Sequence, residues 1–144
     1  MRGATVYTLS ERASNEAARA LAVKENAADA AGGLGVADAG DATQINGILA
    51  DLMQRETLNF STDFQHLLID RLRPTRMLAR DPARSAAFKV LRQSQTPTVL
   101  VELGFVSNQT DAAHMLSADW QKQAAAAIAT AVQAYAAKHP RRLN

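Results

Sequence analysis

The chain has 144 residues, 47% hydrophobic and 21% charged, which is the composition of one folded domain with its own core and excludes global disorder. A net charge of +2 without a dense basic run is too small an excess to argue for nucleic-acid binding. The lack of cysteine excludes a disulfide scaffold and fits a periplasmic or a cytosolic protein equally, and no apolar run approaches the length of a membrane span.

In chain order, Ala4 to Leu9 alternates around Val6 and Tyr7 and predicts a strand. A helix follows, capped by Ser10 or Ser14 and running to about Ala28. Ala17, Ala18, Leu21, Ala22, Glu25 and Ala28 mark its narrow stripe, with alanines small enough to lie close on a sheet. Gly32, Gly33, Gly35 and Gly40 punctuate a connection that lacks the spacing of a phosphate-binding loop. From Asp41 or Thr43 the pattern is helical: Ile45, Ile48, Leu49, Leu52 and Met53, then Phe64, Leu67, Leu68 and Leu72. The stretch reads as one long helix or as two helices broken near Asn59 to Thr62; Ser61 and Thr62 are plausible caps, which favours a break or bend there. Ala86 to Leu91 predicts a second strand, Gln93 to Pro97 a turn, and Thr98 to Leu103 a third strand. A short helix over Asp111 to Leu116 precedes a clear one over Asp119 to Lys138, with Ser117 as N-cap and a frayed tail from Pro140. Strands alternating with helices imply an α/β fold, a partial sheet flanked by helices.

Val99, Leu100 and Val101 have the character of a central strand buried on both faces, and Glu102 closes that run with Gly104 two residues later. An ionised carboxylate is costly to bury without partners. At the C-terminal end of a sheet strand it either turns to water or faces a ligand, because α/β proteins place ligands there. His66, His114 and His139 lie far apart without metal-ligand spacing, so no metal site is expected from them. Arg71, Arg73, Arg76, Arg80 and Arg84 cluster along one segment, as a solvated face with ion pairs or as a surface for an anionic polymer.

The stretch Thr98-Val-Leu-Val-Glu102-Leu-Gly-Phe-Val-Ser-Asn108 resembles the C-terminal signature of the zinc-dependent N-acetylmuramoyl-L-alanine amidases, the amidase type 3 family. Arg2 to Leu9, Lys24 to Asp29 and Ala87 to Arg92 extend the likeness in the same order. The resemblance implies a peptidoglycan hydrolase that cuts the amide between N-acetylmuramic acid and the L-alanine of the stem peptide, with Glu102 catalytic. The long segment from Gly32 to Ser61, with its own amphipathic helix, resembles the inserted regulatory helix of the family's cell-division branch. That likeness implies autoinhibition, with Glu56 as the acid reaching the zinc until an activator of the LytM type displaces it.

In that family two histidines and a glutamate upstream of the strand matched by Arg2 to Leu9 bind the zinc, and none of the three occurs in these 144 residues. The expectation is therefore the C-terminal part of one catalytic domain, inactive and without zinc by itself, from a periplasmic parent. Met1 leads into a strand pattern without an apolar targeting core, which is expected of a truncation or a misplaced start. The alternative is a non-catalytic module that binds a cell-wall or division partner; an unrelated alanine-rich helical domain is a third reading.

Overall fold

The computed structural model describes residues 2–32, 44–92 and 96–139. Strands β1 (Ala4–Leu9), β2 (Leu78–Ala86) and β3 (Leu100–Glu102) form one sheet in the order β2-β1-β3. β2 runs parallel to β1, and β3 runs antiparallel to it. Helix α1 (Glu16–Ala31) covers one face, and α2 (Gln44–Leu72) and α4 (Ala118–Lys138) cover the other; α3 (Gln109–Met115) joins β3 to α4. The expected α/β architecture, a partial sheet flanked by helices, is present.

Strand alternation assigns the two cores. Tyr7 points toward α1 and packs with Ala18, Ala22, Ala86, Phe88 and Leu91. Val6 points the other way and packs with Leu68, Ile69, Leu72 and Ala131. The alanines of α1 work as anticipated, since small side chains let the helix seat on the Tyr7 ring. The N-cap of α1 is Asn15, whose Oδ1 accepts from Ala18 N at 2.8 Å, rather than Ser10 or Ser14. Ser14 instead bonds the backbone of Ser85, and Ser10 bonds that of Arg12. Ser117 caps α4 as expected.

Three further expectations are corrected. First, α2 is continuous through Asn59 to Thr62. Ser61 Oγ and Thr62 Oγ1 donate back to the carbonyls of Thr57 and Leu58, so both hydroxyls are satisfied inside the helix instead of capping a new one. Second, Ala86 to Leu91 is not a strand. Only Ala86 belongs to β2, and Lys89–Leu91 is a 3-10 turn. Asn26 of α1 clamps this segment, its Nδ2 donating to Ala87 O and its Oδ1 accepting from Lys89 N, both at 2.8 Å. A side-chain amide has replaced the neighbouring strand. The real β2 holds Pro82 and Arg80, which an edge strand tolerates. The pairing jumps from Ala4↔Leu78 to Val6↔Ala83, so the residues around Asp81-Pro82 bulge out of register.

Third, β3 is a sheet edge, and β1 is the central strand. Both faces of β3 are nevertheless covered, Leu100 by the α1 core and Val101 by the α2–α4 core. The glycine-punctuated connection at 33–43, the turn at 93–95 and the tail at 140–144 lie outside the described residues.

α2 is tied to the sheet by polar side chains on its buried face. Gln65 Nε2 donates to the carbonyls of Val6 and Arg84 at 2.7 and 2.8 Å. Ser61 Oγ accepts from Thr98 N at 3.0 Å, fixing the entry to β3. Buried polar groups need such partners, and here they set the height of α2 over the strand that carries Glu102.

Candidate active site

Glu102 ends β3 on the face shared with Leu100 and Tyr7, as the two-residue period requires. Tyr7 Oη donates to Glu102 Oε2 at 3.1 Å. On the far side of Tyr7, Arg84 of β2 stands in register with it; on β3 the residue paired with Tyr7 is Leu100, and Glu102, paired with Thr5, meets the Tyr7 hydroxyl diagonally across the same face. The Arg84 side chain is 15% exposed and Nε donates to Asp81 O.

Burial pushes the Glu102 carboxyl above the usual carboxylate range. The Tyr7 hydrogen bond and the Arg84 charge oppose that rise, whereas the negative charges of Glu25 and Asp111 add to it. The Tyr7 phenol is pushed up by its own burial first, then by the charge and hydrogen bond of Glu102. Arg84 opposes that rise; the phenol remains a neutral donor, and the acid beside it holds its proton more readily than a free carboxyl.

The turn after Glu102 is held by Asp111, which is 0% exposed. Its Oδ2 accepts from Gly3 N at 2.8 Å and from Phe105 N at 3.1 Å, linking the start of β1 to the loop that leaves β3. Asn108 caps α3 by accepting from Thr110 N and Asp111 N, which aims Asp111 back at that loop. Glycine is needed at two points here. A Cβ on Gly104 would lie 3.1 Å from Asp111 Cβ, and Gly3, at φ +86°, has the Ala79 backbone where its Cβ would be.

Of the residues singled out from sequence, Glu102 stands at the end of β3 beside Tyr7. Glu56 is exposed on α2, the helix that covers the opposite face of the sheet, and it is not among the charged groups acting on Glu102. The sequence does not single out Tyr7 or Asp111 beside Glu102, and it singles out Arg84 only as one of the arginine cluster. A polar-tipped aromatic in an aliphatic strand was the signal for Tyr7, and the Asn108-x-x-Asp111 capping spacing was the signal for Asp111. The arginine cluster divides: Arg73 pairs with Asp70, Arg84 lies in the site, and Arg71, Arg76 and Arg80 are exposed. A shallow groove of ≈ 230 Å³ between α1 and the end of β2, lined by Glu11, Arg19 and Asn26 among others, does not include Glu102.

Among the described residues no three His, Cys, Asp or Glu side chains converge as metal ligands. His66 is exposed on α2, His114 lies on α3, and His139 stacks on Tyr135 and near Phe60, with ring centroids at 4.6 and 5.1 Å. These residues do not fit a zinc site.

Against known proteins, the chain matches the N-acetylmuramoyl-L-alanine amidase family over residues 1–134. It is 33% identical over 134 residues to N-acetylmuramoyl-L-alanine amidase AmiA of Escherichia coli K12, covering 92% of this chain and 46% of that protein. It is 34% identical over 135 residues to the AmiC amidase of Neisseria meningitidis serogroup B, covering 93% and 32%. With the AmiC amidase of Escherichia coli O6:H1 the identity is 31% over 134 residues, covering 92% and 31%. The chain spans less than half the length of these curated relatives.

Proposed function

This chain belongs to the N-acetylmuramoyl-L-alanine amidase family, and from that premise we propose that the complete protein cleaves the amide between N-acetylmuramic acid and the L-alanine of the peptidoglycan stem peptide. The proposed setting is cell-wall remodelling and daughter-cell separation in the periplasm. Glu102 takes a proton from the attacking water and returns it to the departing amine of L-alanine. The observation that carries this reading is the half-buried carboxylate at the end of β3, raised above its ordinary pKa yet held by a hydrogen bond. Amide hydrolysis needs such a group, one basic enough to accept the water's proton and acidic enough to release it.

The described residues do not fit a zinc site, and we propose that the metal's ligands, and hence turnover, come from outside these 144 residues. Peptidoglycan digested with the complete protein and with the 144-residue chain, each also assayed for metal, tests the reading. The complete protein is expected to hold zinc and release stem peptides with a free L-alanine amine, detected by mass spectrometry; the shorter chain is expected to do neither. Glycan cleavage without free stem peptides would defeat the amidase assignment. Stoichiometric zinc with hydrolysis by the shorter chain would make His66, His114 or His139 a ligand.

The regulatory reading of the segment from Gly32 to Ser61 also stands as a proposal. One observation favours it: Ile48, Leu49, Leu52 and Met53 leave the first half of α2 with exposed apolar side chains, a surface suited to contact with another part of the enzyme or an activator. If Glu56 occupies the metal in the resting complete enzyme, Glu56→Ala raises basal hydrolysis without the activator by about tenfold or more. Unchanged basal activity removes Glu56 from that role.

A further inference from the structure

We infer that Tyr7 is the positioning residue of this site: its hydroxyl holds Glu102 Oε2 and leaves Oε1 to exchange the proton. The inference rests on the reading of Glu102 as the proton acceptor and adds a residue that neither composition nor motif singled out.

Packing fixes the ring of Tyr7, and its hydroxyl stands between the Glu102 carboxylate and the Arg84 side chain. It is 0% exposed, meets Phe88 edge-on with centroids 5.1 Å apart and planes at 69°, and packs on Ala18 and Ala22. Its hydroxyl is the polar end of an otherwise apolar contact, and it points at the carboxylate. Oε1 has no hydrogen-bond partner among the described residues. A carboxylate fixed through one oxygen keeps a defined orientation, and proton transfer depends on geometry before pKa.

The groups facing Glu102 from each neighbouring element set the sign of the pH effect. They are Tyr7 on β1, Arg84 on β2, Glu25 on α1 and Asp111 on α3. A donor to the ionised form favours ionisation. Removing the Tyr7 hydroxyl leaves burial, Glu25 and Asp111 opposed by Arg84 alone, so the carboxyl pKa rises. Glu102 must be ionised to act as base, so the acidic limb of the pH–rate profile moves to higher pH.

The test uses the complete enzyme. Tyr7→Phe is expected to lower kcat by roughly tenfold to a hundredfold with little change in KM, and to move the acidic limb upward by about one pH unit. The Glu102 carboxyl carbon, followed by NMR without substrate, should titrate higher by the same amount. A fluorotyrosine at position 7 keeps the ring and strengthens the donor. It should move both readouts downward, and it keeps the test decisive even where Tyr7→Phe fails to fold.

Profiles and carbon titrations that superimpose on wild type for the folded variants would reduce Tyr7 to packing. The two readings separate through Glu102→Gln. If that variant is inactive while the carbon titration ignores position 7, the positioning inference fails alone. If it stays active while the titration follows position 7, the contact stands and the catalytic reading of Glu102 fails.

Discussion

In the complete enzyme, Glu102→Gln lowers kcat by about 10²- to 10⁴-fold, the range a positioned proton-transfer group supplies. The substitution keeps the shape of the side chain, and Gln Oε1 still accepts from the Tyr7 hydroxyl, so the β3 end and the turn after it are undisturbed. What is lost is the group that takes up a proton. Stability moves the other way. Because the folded-state pKa of Glu102 lies above its unfolded value, the native state binds the extra proton between those two pKa values. Stability then declines as pH rises through that window. The neutral amide avoids this decline. Near pH 7 the variant should melt at the same temperature as the wild type or higher, with zinc content unchanged. Thermal unfolding and steady-state kinetics on one preparation check both halves. Wild-type turnover in a folded variant would make Glu102 a structural acid.

Asp111→Ala is the expected large loss of stability, about 2–5 kcal/mol by urea denaturation. The carboxylate is fully buried and one oxygen serves two backbone amides, those of Gly3 and Phe105. Alanine leaves both donors unpaired, and a buried unmet donor costs roughly 1–3 kcal/mol. The rest comes from the void beside Gly104, whose missing Cβ makes room for Asp111. Asp111→Asn keeps an acceptor oxygen and should lose distinctly less. Equal losses for the two variants would mean that charge, not hydrogen bonding, holds the turn. The residues on either side of this staple, Gly3 and Phe105, lie far apart in the chain, which is why the loss is global rather than a local fraying.

The site was half legible in the sequence. Glu102 announced itself because a carboxylate contradicts the apolar run before it, and the surrounding motif carried the family. Tyr7 and Arg84 did not, because their role exists only once β1 lies between β2 and β3. No local pattern specifies that a strand at residues 4–9 is flanked by one at 78–86 and another at 100–102. Asp111 was legible as a helix-start acid and not as a tether for Gly3, since capping is local and the tether spans the fold.

The sequence by itself determined the helices, through 3.6-residue apolar spacing, and the first strand, through alternation; it also determined the acid at the end of β3 and the family. Those properties depend on neighbours in the chain. The tertiary structure decided whether Ser61 breaks a helix or bonds within it, and whether Ala87 to Leu91 pairs as a strand or is clamped by Asn26. It also decided which strand is central. In each case hydrogen-bonding groups had two ways to be satisfied, one local and one distant. Which of them wins depends on the energy of burying the element against partners that lie far away in the chain.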